Sequence, residues 1–188
     1  MKVQPFTDAR HIKSIKKLLS DRPRDKLLFV MGINSGLRVQ DILSLRIKDV
    51  QGMNVGDRLT LTELKTGKIN VLILNKEIHT ALRDHLDDLG PDETHPDNFL
   101  FKSRKTKNSP LTTYAVTGMV KRWAAEINLS GNFGAHTLRK TWCFVQRTEF
   151  GVAWELLAAR LNHANPAVTR RYMGVQRDDV EAILLHAV

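Results

Sequence analysis

Hydrophobic periodicity constrains this chain more than any other feature. Apolar residues recur at helical spacing along most of its length, and the pattern turns strand-like only between residues 50 and 74. Ile12, Ile15, Leu18 and Leu19 form one apolar face behind Thr7, a plausible N-cap. Pro23 interrupts, a strongly apolar stretch runs over 26–34, and Ser35-Gly36 breaks it, with Gly36 read as a helix terminator. A short helix is expected over 37–47, with Val39, Ile42 and Leu43 inward. Residues 50–55 and 58–64 read as strands, Lys65-Thr66-Gly67-Lys68 as a turn, and 69–74 as the returning strand.

Helical spacing resumes at Ile78, Ala81, Leu82, Leu86 and Leu89 and ends at Gly90-Pro91. Residues 102–107 (KSRKTK) form a basic loop. The clearest helix comes next, marked by Val116, Met119, Val120, Trp123, Ala124 and Ile127. Further helices are expected over 138–150, 153–161, 166–172 and 177–184, with Pro166 suited to a first turn. The fold class is therefore α+β, mainly α-helical, with one small antiparallel β-sheet inserted early.

The 188 residues suffice for one domain with a sizeable core. With 29 Lys and Arg against 20 Asp and Glu, the net charge of +9 points to a polyanionic partner, nucleic acid first. A single cysteine, Cys143, excludes an intramolecular disulfide framework and a multi-cysteine zinc site. It lies among apolar residues, as a buried inert thiol would. Residues 1–10 carry no apolar run of a signal peptide, and no segment approaches the length of a membrane span. The expected location is a reducing cytosol. Aromatic content of 6% disfavours a stacking platform for single strands.

Several residues could carry chemistry. Gly36-Leu37-Arg38 precedes a helix bearing Asp41. Lys65 sits at the hairpin turn. His136-Thr137-Leu138-Arg139 sets His and Arg one helical turn apart, able to face one ligand. Leu161-Asn162-His163 precedes Thr169 and Tyr172, with Pro166 opening a new helix between His163 and Tyr172. Singly, each has an ordinary explanation: a solvated charge, a cap, a packed tyrosine.

In order, these residues resemble the tyrosine recombinases, the phage integrase family. Arg38 with Val39-Gln40-Asp41-Ile42-Leu43 resembles the first arginine box, Lys65-Thr66-Gly67-Lys68 the hairpin lysine, residues 136–141 the second box, and 161–172 the closing segment. The resemblance extends from about Thr7 to Val188. It implies the family's catalytic-core fold and a site-specific recombinase that cleaves and rejoins double-stranded DNA through a 3′-phosphotyrosyl intermediate. The implied catalytic residues are Arg38, Lys65, His136, Arg139, His163 and Tyr172. Two guanidiniums, Arg38 and Arg139, would hold the non-bridging oxygens of the scissile phosphate. His136 would take the proton of Tyr172, an unaided phenol having a pKa near 10. His163 would donate to a phosphate oxygen and Lys65 would protonate the leaving 5′-oxygen. The covalent link conserves the bond energy, so neither nucleotide cofactor nor metal is implied.

Lys68, Lys102, Arg104, Lys105, Lys107, Lys140, Arg170 and Arg171, with the Arg160 region, are the expected DNA contacts. Lys140 stands where many members have His, Asn162 where they have Gly, and Lys68 competes with Lys65 as the hairpin acid. Residues 1–188 are expected to form a single catalytic domain without the family's N-terminal core-binding domain. Self-association into a tetrameric synapse on DNA is implied, with 177–188 either reaching a neighbour or packing on its own core. Type IB topoisomerase-like strand passage shares the chemistry, but the phage-like final boxes weigh against it. A catalytically silent DNA-binding module would not need every catalytic position filled. A metal hydrolase is disfavoured by the absence of a His-Glu-x-x-His spacing.

Overall fold

The computed structural model describes residues 3–105 and 107–174. Its elements run α1 (Ala9–Leu18), α2 (Pro23–Ser35), α3 (Val39–Leu43), α4 (Ile47–Val50), β1 (Arg58–Thr62), β2 (Ile69–Ile73), α5 (Lys76–Asp88), α6 (Thr113–Glu126), α7 (Ala135–Thr148), α8 (Trp154–Arg160) and α9 (Pro166–Met173). The expected mainly helical fold with one small antiparallel sheet is what the chain adopts. The helix expected over 177–184 lies outside the described residues.

Helix α2 is the hub. Leu27, Leu28, Phe29, Val30, Met31 and Gly32 are all buried, so it is apolar on nearly every side, as a helix enclosed by others must be. It packs on α5 and α7. Leu138 of α7 lies so close to Gly32 that a Cβ there would meet its Cδ1 at 2.7 Å. Gly36 ends α2 with φ +66°, a left-handed cap that favours glycine, and a Cβ would meet the Trp142 ring at 2.8 Å. That cap turns the chain so that Arg38 becomes the N-cap of α3.

The hairpin pairs Arg58 with Ile73 through to Thr62 with Ile69. Its two strands are shorter than the alternation suggests, and residues 50–55 are not a strand. Val50 closes helix α4 and turns lead on to Gly56, because the apolar residues here, Val50 and Met53, pack on the core as parts of a helix and a turn. The helix expected over 37–47 is instead α3 and α4, separated by Ser44-Leu45-Arg46, with Arg46 bridging to Phe99. Asp8 rather than Thr7 caps α1, its carboxylate accepting from the Arg10 amide at 2.7 Å. Helix α7 starts at Ala135, earlier than the apolar spacing shows, because the Thr137 hydroxyl accepts from the Gly134 amide at 3.0 Å. Helix α7 thus contains both His136 and Arg139.

Candidate active site

Four separate stretches of chain meet at one small cleft of about 90 Å³, lined by Arg38, Val39, Gln40, Lys65, Thr113, Ala135, His136 and Arg139. Arg38 arrives from the α3 N-cap, Lys65 from the hairpin turn, and His136 and Arg139 from the first turns of α7. Each placement has a local cause. Asp41, buried one turn into α3, accepts from the Leu64 amide at 2.9 Å and so ties the start of the turn to the arginine box. Burial pushes the Asp41 carboxyl up, against that amide bond and the nearby arginines.

Arg139 is 3% exposed, an extreme burial for a guanidinium. Its Nη2 donates to the Leu161 carbonyl at 2.6 Å. Its Nη1 is buried without a hydrogen-bond partner. Burial, reinforced by the charge of Arg38, lowers Arg139 to about 10, which leaves it cationic at neutral pH. A buried cation with an unused donor is a standing electrostatic cost, typically several kcal/mol, that an incoming anion relieves. His136 stands at the cleft mouth, and loss of hydration plus the charges of Arg139, Lys65 and Arg38 push its imidazole down, towards the neutral form a base needs.

His163 and Tyr172 do not line this cleft. They pack against each other, ring centroids 5.4 Å apart and nearly perpendicular, beyond Arg139. Asn162 takes φ +52°, so the position where the resemblance expects glycine does use the left-handed conformation that Asn tolerates. Asn165 caps α9, accepting from the Val168 amide at 3.1 Å, and Pro166 opens the helix that carries Tyr172. The Thr169 hydroxyl meets His163 Nδ1 at 2.8 Å, fixing the ring. Burial and the fields of Arg139 and Arg38 hold His163 down at about 4.

The Tyr172 hydroxyl is buried and has no hydrogen-bond partner, so neither histidine is bonded to it here. Burial raises the phenol to about 12, while Arg139 and Arg38 pull the other way. Its ring packs on the small apolar cluster of Cys143, Leu157 and Leu161. Cys143 is fully buried and raised to about 11, in keeping with an inert thiol.

The other basic residues fall in different places. Lys68, Arg104, Lys105, Lys107, Arg170 and Arg171 are exposed, and Lys102 is half-buried beside Arg24, whose Nη1 donates to its carbonyl at 3.1 Å. Lys140 is 5% exposed, with its ammonium 5.1 Å from the centre of the Tyr172 ring, so it belongs to the interior behind the tyrosine rather than to an open surface. Arg160 is also turned inward: it donates to the Ser35 carbonyl and to Asn70 Oδ1. Sequence reasoning missed Glu63 and Asn70. Glu63 is fully buried, ion-paired with Arg38, and accepts from the Thr66 hydroxyl at 2.5 Å and Asn70 Nδ2 at 2.8 Å. A polar residue alternating with apolar ones near a strand end gives no sign of burial, so nothing in the spacing singles it out. Among the described residues, no cluster of acidic, histidine or cysteine side chains could hold a metal ion.

Helices and hairpin that gather two arginines, a lysine and a histidine around one cleft, with a second histidine and a tyrosine behind, define a recombinase-type catalytic domain. The chain belongs to the phage integrase family, whose model matches residues 6–178. It is 35% identical over 183 residues to the probable integrase/recombinase YoeC of Bacillus subtilis, covering 96% of this chain and 94% of that protein. It is 30% identical over 169 residues to the tyrosine recombinase XerA of Pyrococcus horikoshii, covering 86% of this chain but 54% of the relative. Among solved structures, XerA recombinase superposes with a TM-score of 0.74 at 18% identity, over 99% of this chain and 65% of that one. XerH bound to its difH substrate after cleavage gives 0.75 at 22%, over 98% and 53%. The chain thus spans nearly all of YoeC and about half of the Xer relatives. Among the described residues, no helix is long and apolar enough to cross a membrane.

Proposed function

We propose that this chain is a site-specific DNA recombinase of the tyrosine type, with Tyr172 as nucleophile. The observation that carries the reading is the buried Arg139 with an unused Nη1, set beside Arg38, Lys65 and His136 in one cleft. A phosphodiester entering there gains bidentate contacts that strengthen as negative charge builds in the pentavalent transition state. Tyr172 Oη attacks phosphorus, the bond to the 5′-oxygen breaks, and Lys65 delivers the proton that oxygen needs. The product is a 3′-phosphotyrosyl link and a free 5′-hydroxyl. Attack by a 5′-hydroxyl reverses the step, with no external energy source.

Proton removal from Tyr172 falls to His136. The buried, unbonded phenol at about 12 is not yet a nucleophile. The phenol oxygen bonds neither histidine, so on this reading it has to come within hydrogen-bond reach of His136 when DNA arrives. His163, neutral and held through Nδ1 by Thr169, donates from Nε2 to a phosphate oxygen. Lys68, Lys102, Arg104, Lys105, Lys107, Arg170 and Arg171 contact the duplex backbone, and Lys140 supports the charge balance behind Tyr172. The whole chain acts as one catalytic domain in the cytoplasm and assembles as a tetramer on paired sites. The named activities of the relatives, integrase/recombinase and tyrosine recombinase, support this reading.

The test is a duplex carrying a nick near the cleavage point, so that a short fragment diffuses away and traps the covalent product. A protein–DNA adduct stable to denaturant is expected. Strand breakage without any adduct would contradict the reading.

A further inference from the structure

We propose that Glu63 is a positioning residue for strand cleavage: it orients Arg38 and locks the hairpin turn that carries Lys65 to the segment that carries His163 and Tyr172. The inference rests on the recombinase reading above.

The contacts close a ring through four parts of the chain. Glu63, at the end of β1, ion-pairs with Arg38. It accepts from Asn70 of β2, whose Oδ1 accepts from Arg160 at the end of α8. Arg160 returns to the Ser35 carbonyl, just ahead of Gly36-Leu37-Arg38. Asn162 adds a cross-link, its amide donating to the Ile69 carbonyl at 3.2 Å. The Thr66 hydroxyl, inside the turn, holds Glu63 at 2.5 Å.

Chemistry requires a carboxylate at the centre of this ring. Every side-chain partner of Glu63 is a donor: Arg38, Thr66 and Asn70. Burial opposes its ionisation, but those donors together hold it at about 2, so the charge is present at any working pH. Arg38, Arg139, Arg160 and Lys68 lie close enough to act on the same groups, with the buried Asp41 carboxyl, itself pushed up by burial and in part by the Glu63 charge, also near. A glutamine of the same shape would aim an NH₂ at donors and leave the Arg38 guanidinium unanchored. Arg38 would then lose its fixed plane, and Lys65 its fixed distance from it.

Glu63 touches neither substrate nor reacting atoms in this arrangement, so its effect has to pass through Arg38 and the turn. Single-turnover cleavage of the nicked duplex by Glu63→Gln should fall by about tenfold to 10²-fold, the range for misplacing a catalytic group by about an ångström. Duplex affinity, set by the exposed lysines and arginines, should stay within about twofold. In an Arg38→Ala background the further loss from Glu63→Gln should shrink to about twofold or less, because residues acting as one unit are not additive. Thr66→Val, at an exposed turn position that tolerates the change, should give a smaller loss with the same non-additivity. A full cleavage rate in Glu63→Gln would overturn the proposal. So would an undiminished loss in the Arg38→Ala background, or a loss in both variants that merely tracks a lower melting temperature. Absence of any adduct from the unaltered protein would instead remove the recombinase reading itself, and this inference with it.

Discussion

In the proposed reaction Tyr172 is the nucleophile, and its surroundings bear on how that role can be tested. The phenol oxygen is buried without a partner, so Tyr172→Phe removes an atom that contributes no hydrogen bond to the fold. Tyr172→Phe should fold normally, bind duplex DNA like the original, and form no covalent adduct, as read on a denaturing gel. An adduct from that variant would move attention to Tyr114, which is 89% exposed on α6. Arg38→Ala and Arg139→Ala should each lower single-turnover cleavage by on the order of 10² to 10³, as for other preorganised donors to a developing charge. Rates within about twofold of the original would contradict the clamp. His163 has its own signature. Its pKa falls from 6.5 to about 4 on folding, so the unfolded chain binds the proton more readily. That contribution to stability is complete above pH 6.5 and is lost as pH falls towards about 4. The urea midpoint should drop through that window, and His163→Gln should flatten the drop.

At the scale of elements, close packing and turn geometry do what side-chain chemistry alone does not. Gly32 lets α7 lie against α2, so Gly32→Ala should overpack the Leu138 contact and cost about 1–3 kcal/mol in urea unfolding. An unchanged midpoint would mean that the two helices can separate without loss. Most elements are legible in the sequence because helical spacing is strong in α1, α5 and α6, and because Gly36 and Pro166 mark boundaries with specific backbone needs. The false strand over 50–55 shows the limit: Met53 and Val55 alternate as in a short strand, but tertiary packing folds Val50 as the end of α4 and Met53 into the turn after it. The site divides in the same way. Arg38, Lys65, His136 and Arg139 lie in motifs and meet in the cleft. Glu63, Asn70 and Arg160 meet only through long-range contacts, which no local pattern encodes, and Arg160, expected to face DNA, is spent inside the fold.

For the whole molecule, charge decides how DNA is met and geometry decides which bond is broken. With a net charge of +9 and exposed Lys68, Arg104, Lys105, Lys107, Arg170 and Arg171, binding of a duplex should be dominated by counterion release. Affinity should fall steeply between about 50 and 200 mM salt, as titration of a duplex across that range would show; salt-independent binding would contradict it. Cleavage should persist in excess chelator, since on this reading Arg38, Arg139 and Lys65 supply the positive charge and Glu63 is already committed to Arg38, Thr66 and Asn70. Loss of cleavage in chelator and its return with Mg²⁺ or Zn²⁺ would contradict that assignment. The decisive measurement digests the covalent adduct from a nicked duplex and locates the modified peptide by mass spectrometry. A nucleotide joined through its 3′-phosphate to Tyr172 is expected; attachment at Tyr114, or through a 5′-phosphate, would refute the assignment of Tyr172 as nucleophile.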